Sequence, residues 1–204
     1  LDPATSRLLR DGAARLGVAL DDDQVRRLER YLALLQEWNR RINLTAIDHE
    51  RGIVELHFLD SLAVAPLVRG LETLVDVGSG AGFPGAVLAI ALPSLNVTAI
   101  DAVAKKVAFL QTLRRTVAPN LSPLHLRDEQ LGERVFDGAV SRATWDPQEW
   151  LAHGAPLIGD NGLLVAMQTA DAPVLDPPVG FTRLDAVEYS AGEARRRLQP
   201  FRRG

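Results

Sequence analysis

The sequence predicts an α/β protein, a mostly parallel sheet with helices on both faces, behind a helical N-terminal extension. Three observations carry this. From about Leu71 the apolar pattern alternates strand, loop and helix. A glycine-rich loop, Val75 to Gly85, joins an apolar run to a helical one, and a second acid, Asp101, closes the next apolar run. Before Leu71, apolar residues recur at three and four residues instead of two. The extension is expected over residues 1–68 and the ligand-binding domain over 69–204.

In the extension, Val25, Leu28, Leu32, Leu35 and Trp38 form one core-facing helical stripe. Asp21 to Asp23 supply an N-cap and favourable charge in the first turn. A second helical piece is expected from roughly Glu50 to Leu67, carrying His57, Phe58, Asp60 and Ser61. Strands are expected at 73–77, 97–101, 122–126, 136–141, 162–167 and about 182–189. Helices are expected at about 84–92, 104–117 and 147–157. Pro84 suits a first helical position, where its missing N–H costs nothing. Asp171 to Pro178 is proline-rich and reads as a loop.

The 204 residues are 47% hydrophobic and 24% charged, enough for one α/β domain with an appendage. The absence of cysteine removes disulfides, thiolate metal sites and any Cys nucleophile, and suits a cytoplasmic protein. No secretory leader is visible, and Ala86 to Leu92 is far short of the ~20 apolar residues that span a bilayer. The leading Leu implies that the chain begins after its true terminus. A monomer that does not engage membranes is expected. The net charge of −3 does not favour nucleic acid, though a local patch is compatible with it. The only lysines are Lys105 and Lys106. Arginines cluster at Arg40-Arg41, Arg114-Arg115, Arg195-Arg196-Arg197 and Arg202-Arg203.

The glycine loop carries most of the functional information. Asp76, Gly78, Gly80 and Gly82 form D-x-G-x-G-x-G, followed by Phe83. Glycines let the backbone turn sharply and a ligand approach it. An acid about 20 residues on, here Asp101, suits both hydroxyls of a ribose. A dinucleotide site wants G-x-G-x-x-G, but the residue due to be its third glycine is Phe83. The alternating glycines and the leading acid favour S-adenosyl-L-methionine (AdoMet) over NAD. Candidate cofactor residues are Asp76, Gly78, Ser79, Gly80, Gly82, Phe83 and Asp101. Asp128 and Glu129, after the third strand, are candidates for the adenine edge. Arg142, at the end of the fourth strand, is the candidate catalytic residue and a further cofactor contact. All fall at the carboxyl ends of strands, where such sheets bind ligands.

The fourth strand also excludes chemistry. Methylation of an adenine amino group wants an Asn/Asp-Pro-Pro-aromatic turn there, and the residues are Ser141-Arg142-Ala143-Thr144. Asp176-Pro177-Pro178-Val179 lies after the fifth strand and lacks the aromatic, so it reads as a turn. Carbon-5 methylation of pyrimidines needs a Cys nucleophile. Guanine N7, with an in-plane lone pair and no proton to lose, remains, as does small-molecule N or O methylation. His49 and His57 show no metal spacing, and no metal is expected.

These residues resemble the bacterial 16S rRNA guanine-N7 methyltransferase G family, also called glucose-inhibited division protein B. The likeness runs from about Leu32 to Ala143. It includes Glu37-Trp38-Asn39, Ile42-Asn43-Leu44-Thr45, His57-Phe58-Leu59-Asp60-Ser61, Val75 to Gly85, Asp101 with Lys105-Lys106-Val107-Ala108-Phe109-Leu110, and Phe136 to Ala143. The resemblance implies a class I AdoMet-dependent methyltransferase fold, Rossmann-like, with AdoMet contacts at Gly78, Phe83, Asp128-Glu129 and Arg142 and with Asp101 near the ribose. It implies a guanine of 16S rRNA as target, in the small ribosomal subunit or its precursor. Lys105, Lys106, Arg195, Arg196 and Arg197 are candidate nucleic-acid contacts.

The C-terminal third departs from the family pattern. Gln168 stands where the family has the lysine of Lys-Gly. The family's terminal apolar strand is replaced by Arg195 to Phe201, charged and interrupted by Pro200, which fits only an edge or end of a sheet. The rival readings are a divergent or inactive member that binds AdoMet or RNA, and a small-molecule methyltransferase.

Overall fold

The computed structural model describes residues 1–132 and 135–204. Helices α1 (Pro3–Arg15) and α2 (Asp22–Asn39) open the chain. Asp21 caps α2 through the Gln24 N–H, and the Gln24 side chain returns to the Asp21 N–H, a reciprocal capping box. The same Gln24 Nε2 donates to Ile90 O and Ala91 O and ties α2 to the sheet layer. The second helical piece is α3 (Glu50–Ile53), a π-helical turn (Val54–Leu59) and α4 (Asp60–Leu62), followed by α5 (Ala65–Val68). π-Helical turns recur at functional sites, and this one carries His57.

The sheet then begins. Strands β1 (Thr73–Val77), β2 (Asn96–Asp101), β3 (Leu121–His125), β4 (Phe136–Ser141) and β5 (Ile158–Thr169) pair in parallel in the order β3-β2-β1-β4-β5. Helices α6 (Gly85–Ala91), α7 (Ala104–Thr116) and α8 (Pro147–Gly154) connect them. Along β1, Leu74 faces the core shared with the N-terminal helices, while Val75 and Val77 face the core under α8, as a period of two requires. The helices of residues 3–68 thus complete one face of the sheet. Pro84 takes the cap position just before α6, one residue earlier than expected.

The C-terminal strands differ from those expected. The expected single strand over 182–189 is two, β6 (Phe181–Arg183) and β7 (Val187–Ala191). Residues Ala194–Arg203 form a ten-residue strand, β8, antiparallel to β5 and covered on its other side by β6 and β7. Pro200 therefore lies inside the sheet, opposite Val165. Its carbonyl accepts from Leu184 N at 3.0 Å. A residue's N–H and C=O point to the same side of a strand, so the missing donor of Pro200 faces Leu184, in the gap between β6 and β7. Leu184 O, which that donor would have served, accepts instead from Gln199 Nε2 at 2.7 Å. A side-chain amide stands in for the proline's lost N–H.

Candidate active site

The loop after β1 is tied to the end of β2. Gly78 N and Ser79 N both donate to Ile100 O at 3.0 Å, and Gly80 N donates to Asp101 Oδ2 at 2.9 Å. Asp101 Oδ1 accepts from Val103 N at 2.8 Å. Each carboxylate oxygen therefore takes one bond from the protein and keeps a lone pair. Gly78 has φ +72, and a Cβ there would lie 2.2 Å from Thr144 Oγ1, so no other residue fits. Gly80 has φ +58 and open space around its Cα.

A cavity of about 440 Å³ lies over this loop. Seven of the candidate cofactor residues line it: Gly78, Ser79, Gly80, Phe83, Asp101, Asp128 and Arg142. Three do not. Asp76 is fully buried behind the loop, where Oδ2 accepts from Ser79 Oγ at 2.5 Å and from Gly85 N at 2.8 Å. Burial above all pushes its carboxyl up to about 6, against the lowering effect of those hydrogen bonds. Gly82 faces the Tyr31 hydroxyl, with room for no Cβ. Glu129 is exposed on the 3₁₀ turn Asp128–Leu131.

Sequence reasoning missed several lining residues. Leu44 and Thr45 enter from the segment between α2 and α3, and Lys106 from α7. Lys106 Nζ sits 3.8 Å from Asp101 Oδ2, so a lysine expected on nucleic acid lies at the cofactor cavity. Gly85 is the other omission: a Cβ would stand 2.6 Å from Asp76 Oδ2. His57 stacks on Phe83 with ring centroids 4.5 Å apart, and Tyr31 stacks on the same ring at 5.4 Å. The Arg142 guanidinium lies 5.0 Å from the Phe83 centroid. Its Nη1 donates to Asp60 Oδ2 at 3.0 Å and Leu56 O at 3.1 Å, and Nη2 lies 3.1 Å from His57 Nδ1. Tyr189 OH donates to Asp60 Oδ1 at 2.8 Å. Burial, with the Arg142 charge second, drops the His57 pKa to about 4. At the far end, Asp128 Oδ2 sits 2.6 Å from His153 Nδ1, and Trp145 stacks on His153 at 4.7 Å.

A second cavity, about 550 Å³, adjoins the first and shares His57, Arg142, Ala143 and Trp145 with it. Asp60, Met167, Gln168, Tyr189 and Arg196 complete its outer wall. Gln168 is buried in β5, with Nε2 donating to Pro173 O at 3.2 Å and Oε1 without a partner among the described residues. The expected nucleic-acid cations disperse. Arg195 pairs with Glu188, and Arg197 donates to Ala172 O and Pro173 O. Arg196, on the opposite side of β8, reaches the second cavity, and Lys105 is exposed on α7.

The cavity fits a nucleoside-bearing cofactor: bare backbone at Gly78 and Gly80, a carboxylate with one lone pair per oxygen for two ribose hydroxyls, and a further acid at the remote end. This loop and acid on a parallel sheet, with reversed β8 beside β5, define a class I AdoMet-dependent methyltransferase. Solved structures of like fold include the O-methyltransferase from Bacillus cereus in complex with SAH, with TM-score 0.59 and 15% identity over 86% of this chain and 91% of that one. TrmN from Thermus thermophilus is another, with TM-score 0.56 and 17% identity over 74% and 53%. The chain belongs to the family described as rRNA small subunit methyltransferase G, which matches residues 24–173. The Ribosomal RNA small subunit methyltransferase G of Anaeromyxobacter dehalogenans (strain 2CP-C) is 40% identical over 182 residues, covering 86% of this chain and 85% of that one. Its namesake from Chromohalobacter salexigens is 39% identical over 208 residues, covering both chains fully.

Proposed function

We propose that this protein transfers the AdoMet methyl group to N7 of a guanine in 16S rRNA, presented by the small ribosomal subunit or its precursor in the cytoplasm. The observation that carries the reading is the position of Arg142, in the wall of both cavities. The first cavity suits the cofactor and the second an unstacked base. The relatives' names support the rRNA acceptor, and the absence of Cys supports N7 over a pyrimidine carbon.

AdoMet held by Asp101 and the Gly78–Gly80 backbone would supply a methyl on positively charged sulfur, for which the in-plane lone pair of guanine N7 is the acceptor. N7 has no proton to lose, so alignment and exclusion of water matter more than a general base. The site is built accordingly. Asp101 and the Gly78–Gly80 backbone bind and orient the nucleoside portion. Arg142 is held by Asp60, Leu56 O and His57 and does not swing freely. His57 stacks on Phe83 and stays neutral, which limits the charge near the reacting atoms.

The test is transfer of labelled methyl into small subunits and naked 16S rRNA that lack the modification, with the product nucleoside identified. Labelled 7-methylguanosine is expected. AdoMet binding without label in either RNA, or label in another nucleoside, overturns the reading.

A further inference from the structure

Thr45 lies between α2 and α3 and lines the cofactor cavity beside His57. Its Oγ1 is 2.8 Å from His57 Nε2 and accepts from Ile47 N at 3.1 Å. The direction of the His57 bond is set from the other side of the ring. Arg142 Nη2 lies 3.1 Å from Nδ1, and a guanidinium only donates. Nδ1 therefore presents a lone pair to it. Leu56 O, 3.0 Å from the same nitrogen, has room for a second donor, but an Nδ1–H aimed at it would stand against the Arg142 Nη2–H. A ring with bare Nδ1 carries its hydrogen on Nε2, so Nε2–H donates to Thr45. Both lone pairs of the Thr45 hydroxyl are then filled. Its own hydrogen has no acceptor among the described residues. A half-buried hydroxyl that can only donate thus lies beside His57, which with Arg142 lines both cavities.

We propose that Thr45 selects guanine over adenine by donating this hydrogen to O6 of the acceptor base. The inference rests on the guanine-N7 reading above. O6 and N7 lie side by side on one edge of guanine, both acceptors, so a donor at O6 also sets N7 in the plane of attack. Adenine presents an amino group at that place, and two donors would oppose each other. Thr45 lines the first cavity, but both partners of its hydroxyl, His57 and Ile47, line the second, so the hydroxyl stands at their junction. His57 is a positioning residue here: it acts by fixing which way the Thr45 hydrogen points.

The experiment compares wild type with Thr45→Val and Thr45→Ser. AdoMet affinity is measured by calorimetry, and kcat/KM for transfer into unmodified small subunits by label. Thr45→Val should bind AdoMet within about twofold of wild type and lose about 10- to 100-fold in kcat/KM, the span set by one hydrogen bond to a site built to make it. Thr45→Ser should recover most of the loss. Subunits carrying 2-aminopurine, which lacks O6, at the labelled position should slow wild type to the level of Thr45→Val and slow the variant no further. A parallel loss of AdoMet affinity in Thr45→Val overturns the proposal and assigns the hydroxyl to the cofactor. Equal wild-type rates on guanine and 2-aminopurine overturn it whatever the variants' folding. Wild type inactive on guanine removes the reading beneath it, which separates the two failures.

Discussion

Arg142 Nη2 lies 3.1 Å from His57 Nδ1 while Nη1 of the same guanidinium holds Asp60 Oδ2 at 3.0 Å. One arginine just after β4 is thus locked to the π-helical turn that precedes the sheet. Arg142→Ala should lower methyl transfer by about 10²- to 10³-fold, the cost of losing one oriented donor in a site. It should also destabilise by roughly 1–3 kcal/mol, since buried Asp60 keeps only Tyr189 among the described residues. Arg142→Lys should restore part of the stability but little of the rate, because an ammonium cannot serve Asp60 and His57 in one plane. Wild-type turnover in Arg142→Ala would take the residue out of the reaction.

His57 and Asp76 oppose each other in acid. The His57 pKa falls from 6.5 to about 4, so the unfolded chain takes up that proton first as pH drops, and stability is lost between pH 6.5 and 4. The Asp76 pKa rises from 3.8 to about 6, so the native state holds a proton that the unfolded chain has released, and stability is gained over pH 6 to 4. Each shift corresponds to about 3 kcal/mol, and the slopes nearly cancel. Asp76→Asn removes one of them. Denaturant melts should show the variant losing about 3 kcal/mol more than wild type between pH 6.5 and 4. Parallel pH profiles would refute the opposition.

Asp101 serves loop and ligand together. Asp101→Ala frees Gly80 N and Val103 N and deletes the ribose acceptor. AdoMet binding should weaken by about 1–3 kcal/mol. Asp101→Asn keeps the shape, yet one of its two atoms becomes a donor facing a backbone N–H, so it should lose nearly as much. Unchanged affinity by calorimetry would remove Asp101 from the cofactor site.

Gly85 anchors the loop from below. In Gly85→Ala the new Cβ meets the Asp76 carboxylate at 2.6 Å and its Cβ at 2.9 Å. Asp76 is fully buried and its Oδ2 is held by Ser79 Oγ and Gly85 N, so it has little room to shift and destabilisation of about 1–3 kcal/mol is expected. AdoMet affinity should fall with it, because Asp76 holds Ser79 and the loop in place. A melting curve matching wild type would contradict the packing.

The parallel half of the sheet was legible because each apolar run from Leu74 to Ala166 ends where the burial pattern does, and the candidate acids and Arg142 sit at those ends. The site was legible in part. Asp76 and Asp101 look alike in sequence, both acids at strand ends, but alternation turns Asp76 into the core and leaves Asp101 at the cavity. The neighbours of Lys106 and His57, Asp101 and Arg142, are set by tertiary packing, which no local pattern displays. Gln168 looked like a lost functional lysine. In β5 it lies opposite Arg197, where an ammonium would meet a like charge.

Pro200, expected at an edge or end, lies inside the sheet. Pro200 cannot donate to Leu184 O, and Gln199 Nε2 does so at 2.7 Å. Gln199→Leu should leave that half-buried carbonyl, between β6 and β7, without a donor and cost about 1–3 kcal/mol. Pro200→Ala alone restores a backbone N–H opposite Leu184 O, where Gln199 already sits, so its effect should be small. Combining the two lets the new N–H replace the lost side chain. The double variant should be more stable than Gln199→Leu alone, by about 1 kcal/mol or more in a double-mutant cycle. Additive effects would mean that the glutamine does not substitute for the proline's missing donor, and that β8 tolerates Pro200 by another route.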